Sequence, residues 1–114
     1  MTYEEVEALQ ISNIVANTSD LIELVKTSLG IIQTNTIKDT EISMLIGAGV
    51  ADMIRQGIDV AHNMANELIQ ATIVMFVKSN FEYLDEATRK RALEMYRLNC
   101  TNLSLSQSYK SEEQ

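Results

Sequence analysis

His62 is the only histidine of this 114-residue chain and Cys100 its only cysteine. A Cys100 nucleophile would need a general base, and His62 is the one histidine available to serve it. The pairing is weak. His62 stands in a polar link with no second His or Cys nearby in the chain, so it reads as a surface residue rather than a ligand or base. Cys100 falls one helical turn from Tyr96, where a half-buried structural thiol fits better than a nucleophile. A lone cysteine excludes an intramolecular disulfide and a cysteine-rich metal site. The carboxylates cluster as Glu4–Glu5–Glu7, Asp39–Glu41 and Asp85–Glu86. Each group lies at a helix start, where negative charge suits the helix dipole and capping. Gly47-Ala48-Gly49 lacks the preceding strand and following Lys-Ser/Thr of a phosphate loop. No catalytic residue, cofactor or metal site is expected, and the reading is of a non-enzyme.

The basic cluster Arg89-Lys90-Arg91 with Arg97 is interleaved with Asp85, Glu86 and Glu94, and no aromatic platform accompanies it. That argues against nucleic acid and for a solvated face or an ion-pair surface toward an acidic partner. Sixteen acidic residues against nine basic ones give a net charge of −7. Tight DNA binding is disfavoured, because phosphate neutralisation needs clustered cations. A surface past which DNA slides suits the balance.

The elements that must carry these residues are helical. The chain has no proline and four glycines, too few for the turns of a strand-rich fold. Residues 3–16 carry a loose apolar stripe. A second helix spans Leu21 to Leu29, with Asp20 and Glu23 in the form of a capping box and Gly30 as its stop; the two could also be one bent helix. After a loop over residues 31–36, Thr36 or Asp39 caps a strongly amphipathic helix, Asp39–Gln56, ended by Gly57. Gly47, Ala48, Gly49 and Ala51 weaken that helix. They signal either close approach of another helix or subunit, or a small-residue patch inside the core. Asn63 or Asn66 caps a helix to Phe81 that is apolar nearly all round and therefore central. Asp85 caps the last helix, and from Leu103 the chain turns Ser-rich. The expectation is an all-α, compact bundle of four to five helices: one domain over residues 1–102, with 1–18 an extra helix, and a mobile tail over 103–114. The opening Met-Thr-Tyr-Glu-Glu is not that of a secretory signal, and the longest apolar run is far below the roughly 20 residues that span a bilayer. An intracellular protein is expected.

The order Leu21-Ile-Glu-Leu-Val-Lys-Thr-Ser-Leu-Gly-Ile, then Asp39-Thr-Glu-Ile-Ser-Met-Leu-Ile-Gly-Ala-Gly-Val-Ala-Asp-Met-Ile-Arg-Gln-Gly-Ile-Asp, resembles the head–tail connector proteins of tailed bacteriophages, also called head-completion or DNA-packaging adaptor proteins. The resemblance continues through Asn66-Glu-Leu-Ile-Gln-Ala-Thr-Ile-Val-Met-Phe-Val-Lys-Ser-Asn-Phe81 and Leu103-Ser-Leu-Ser-Gln-Ser-Tyr109, covering roughly residues 20–109. Family members usually carry Gly after the Phe matching Phe81, where Glu82 stands here. The resemblance implies a virion protein of the head–tail junction, made in the bacterial host cytoplasm. It implies a ring of about twelve copies under the portal protein, closed by a repeated head-to-tail contact. The ring extends the DNA channel and carries the stopper or tail-completion protein, with no membrane partner. Gly47, Gly49, Arg89, Lys90, Arg91 and Arg97 are the candidates for the subunit contact. Leu103, Leu105 and Tyr109 are the candidates for a tail that docks on the portal. A small acidic regulatory or antirepressor-type binding protein, acting as a DNA mimic, is the alternative.

Overall fold

Gly30 and Gly57 are the two residues that punctuate the first half of the fold. The computed structural model of the chain describes residues 20–106. The stripe over residues 3–16 and the segment with Tyr109 lie outside the described residues. Helix α1 covers residues 20–29. It stops where Gly30 turns left-handed at φ 75°, while the Gly30 and Ile31 amides donate to the Thr27 and Lys26 carbonyls at 3.2 and 2.9 Å. Helix α2, Asp39–Arg55, ends the same way: Gly57 has φ 83°, and the Gly57 and Ile58 amides donate to Ile54 and Met53 carbonyls at 2.9 and 3.2 Å. Both are paired six-to-one and five-to-two closures that need a residue without a Cβ penalty at positive φ. Buried Ile58 and Met53 supply the hydrophobic contact that accompanies the second closure.

The start of α2 differs from the expectation. Neither Thr36 nor Asp39 caps it; Lys38 takes the N-cap position and makes no side-chain capping bond. The Asp39 carboxylate is instead drawn to the Lys26 ammonium, 2.9 Å away, while remaining in the first turn where the dipole favours it. A short 3₁₀ turn, Ala61–Asn63, leads to helix α3, Glu67–Asn80, capped by the Asn66 side chain, which accepts from the Leu68 and Ile69 amides. Helix α4, Glu86–Leu105, is capped by Asp85, which accepts from the Thr88 amide at 3.1 Å. There is no strand among the described residues.

α3 packs against both α2 and α4, as its nearly continuous apolar sequence predicts. Its Ile69, Ile73 and Val77 meet a core that includes Val25, Ile42, Ile46, Val50 and Met53. The α3–α4 turn manages without the missing glycine. Among the described residues no non-glycine has positive φ, so Glu82 sits in ordinary backbone space, and the Leu84 amide closes the turn onto the Phe81 carbonyl at 3.1 Å. Phe81 is buried beneath it. Lys38 reaches this turn from the start of α2: its ammonium lies 2.5 Å from the Tyr83 hydroxyl and 3.8 Å from the ring centroid.

The boundary expected after residue 102 falls inside α4. Ala92, Tyr96, Cys100 and Leu103 form one stripe at steps of four, four and three, and Leu103 is fully buried. The Ser-rich composition hid a core position that helical periodicity required.

Candidate functional site

The carboxylate of Asp52, near the end of α2, accepts hydrogen bonds from three side chains. The Tyr96 hydroxyl of α4 donates to it at 2.5 Å, Arg55 at 2.8 Å and Gln56 at 2.9 Å. The Tyr96 hydrogen bond, followed by those of Arg55 and Gln56, holds the Asp52 carboxyl below the usual carboxylate range. Burial, then the carboxylate itself, pushes the Tyr96 phenol far up, so it stays a donor. Burial likewise raises the Cys100 thiol, although hydrogen bonds to Tyr96 and Gln56 work against it. Asp52, Gln56, Tyr96 and Cys100 line a groove of about 560 Å³ between α2, α3 and α4, with Phe76 and Arg97 on its walls. Phe76 and Tyr96 meet edge to face with centroids 5.2 Å apart.

The arrangement fastens helices rather than activating a nucleophile. A protonated, buried thiol is a poor nucleophile, and the one carboxylate beside it already accepts three hydrogen bonds. His62 does not line this groove. It sits in the 3₁₀ turn, exposed, with Nδ1 2.8 Å from the Asp59 carboxylate. The Asp39–Glu41 pair does not converge: Asp39 takes Lys26 at 2.9 Å, and Glu41 lies 3.9 Å from Lys38. Among the described residues no group of three or more His, Cys, Asp or Glu side chains could hold a metal.

The six candidate contact residues divide by orientation. Gly49 faces inward, and a Cβ there would meet the Phe76 ring and Cβ at 2.7–3.2 Å. Gly47, two residues earlier, is exposed with open space around it. The small-residue patch is therefore a close helix approach on one side and bare surface on the other. On α4, Arg89 leans inward with its Nε buried and unpartnered, while Lys90, Arg91 and Arg97 are exposed. None of the four comes within ion-pair distance of a carboxylate among the described residues. Of the tail candidates, Leu103 belongs to the core and Leu105 projects into solvent at 74 % exposure.

Lys26 was not legible as special. It is 2 % exposed, and its ammonium bridges Asp39 and the Gln33 carbonyl, the latter at 2.8 Å. The one hint is its place on the flank of the Leu21–Val25 stripe, where a long stem can be covered by the loop that follows.

The family of phage connector proteins has a model that matches residues 21–112, and the chain belongs to that family. It is a bacteriophage head–tail connector, and association with the virion and with other head or tail proteins follows from that membership. No curated protein and no solved structure matches it. No helix among the described residues is long and apolar enough to cross a membrane.

Proposed function

We propose that this connector assembles as a ring beneath the portal, extends the DNA channel, and joins the head to the stopper or tail. It acts without catalysis. The observation that carries the reading is the family match, which begins at the second described residue of α1 and runs beyond α4 to residue 112. Charge supports it: an acidic subunit repeated around a channel repels phosphate and lets DNA move without adhering. Exposed Leu105, followed by the segment with Tyr109, is the part offered to the portal.

The test is to mix the full chain with assembled portal and follow the complex by light scattering and negative-stain microscopy. A ring-shaped layer added to the portal is the expected result; absence of any complex rejects the reading. Removing residues 107–114 should then abolish portal binding, and unchanged binding rejects the docking role of that segment alone.

A further inference from the structure

We propose that the acidic segment over residues 1–19 docks on the outer face of α4 in its own chain. The segment lies outside the described residues and outside the family match, which starts at residue 21. The surface that would receive it is on the page. Arg91, Met95 and Leu98, at steps of four and three, share one face of the helix. Met95 is 44 % and Leu98 55 % exposed, two large apolar side chains left uncovered in mid-helix. Lys90 and Arg97 stand exposed alongside. Neither they nor Arg91 have a carboxylate within ion-pair distance among the described residues. Glu94 is the one acidic side chain between Lys90 and Leu98. Lys26, Lys38 and Arg55, by contrast, are paired with Asp39, Glu41 and Asp52. Apart from Lys78 on α3, the uncommitted positive charge of the described residues is therefore gathered on α4.

A partner for this face must bring apolar side chains and negative charge together. Residues 1–19 do both. Glu4, Glu5 and Glu7 are opposed by no Lys or Arg in that segment, and Val6, Leu9, Ile11, Ile14 and Val15 supply the apolar side chains. Reach is sufficient. A helix of that length measures about 28 Å and an extended chain about 60 Å. The two shorter dimensions of the molecule are 27 and 19 Å. Tethering at Asp20 also gives the segment an effective concentration on the order of millimolar, which favours its own α4 over that of another copy. The exposed Met44 of α2 is a poorer seat, because Glu41 stands three residues before it and no unpaired cation lies beside it in the helix. Seated on α4, the segment also shields the basic cluster from nucleic-acid phosphate.

The test is read on full-length chains carrying Cys100→Ala and a new pair of cysteines. Leu9→Cys with Leu98→Cys should close an intramolecular disulfide under mild oxidation at micromolar concentration. Leu9→Cys with Met44→Cys, the control on α2, should close about tenfold more slowly or less. Adding Arg91→Glu and Arg97→Glu should slow the Leu98 pair by about tenfold, and further adding Glu4→Lys, Glu5→Lys and Glu7→Lys should restore it. Equal rates for the two pairs, a disulfide-linked dimer in place of the intramolecular bond, or indifference to the charge reversals overturns the assignment. A chain with its native Cys100 gives a second reading without engineered thiols. In it, Glu4→Lys with Glu5→Lys and Glu7→Lys should speed amide hydrogen exchange over residues 90–98 by about threefold or more. Unchanged exchange there overturns the assignment as well. The contact lies within one chain, so its failure is read without the portal and is distinct from failure of the ring.

Discussion

The junction of α1 with α2 and the middle of α4 both hold cations in an acidic protein, and they use them in opposite ways. Lys26 is sealed inside, its ammonium shared between Asp39 and the Gln33 carbonyl, so that one side chain fixes α1, the following loop and the first turn of α2. Lys90, Arg91 and Arg97 stand in water with no carboxylate within ion-pair distance among the described residues. A buried charge must be paired because desolvation is costly, and it becomes structural by necessity. An exposed charge adds little to the fold and is free to meet a partner. The same contrast separates Gly49, pressed against Phe76, from Gly47, where an added Cβ would meet nothing within 4 Å among the described residues.

The largest effect should come from the sealed side. Lys26→Ala removes the cation and its covered stem, and chemical denaturation should show a loss of about 3 kcal/mol. Gly49→Ala puts a methyl group against the base of a packed ring, and the overpacking should cost about 1–3 kcal/mol on the same measurement. Tyr96→Phe withdraws the donor to Asp52 and should cost about 1.5 kcal/mol at neutral pH. This third change also has a pH signature. The folded Asp52 carboxyl lies below its ordinary value of 3.8, chiefly because of Tyr96. Its contribution is therefore present above that value and is lost as pH falls through the lower, folded one. The stability gap between native protein and Tyr96→Phe should accordingly narrow on acidification below about pH 4, as read from thermal melts.

On the open side the sign changes or the effect vanishes. Gly47→Ala should make the chain more stable by about 1 kcal/mol in chemical denaturation. Arg91→Glu should leave the denaturation midpoint within about 0.5 kcal/mol of the native value. A large destabilisation from Arg91→Glu, or none from Lys26→Ala, would erase the distinction between the two regions.

Much of the fold could be read from residue order. Gly30 and Gly57 as stops, Asn66 and Asp85 as caps, and the continuous apolar run of α3 are local signals, because capping and periodicity act within a turn or two of chain. The end of α4 was misplaced for an instructive reason. Composition around Leu103 is polar, and only the four-four-three spacing from Ala92 betrays that it is in the core. The site was less legible. Asp52 and Tyr96 are 44 residues apart in the chain, and no local rule links them.

Composition, helix punctuation and the order of elements by themselves determined an acidic, all-helical protein of the connector family. These properties rest on short-range physics and on a pattern that survives without coordinates. Which glycine is crowded, which cation is buried and which apolar residues remain uncovered were decided only by how the helices pack, with α2 and α4 both against α3. Positions two residues apart on one helix, such as Gly47 and Gly49, face different surroundings once a neighbour arrives, and packing over long chain separations decides where that neighbour lies.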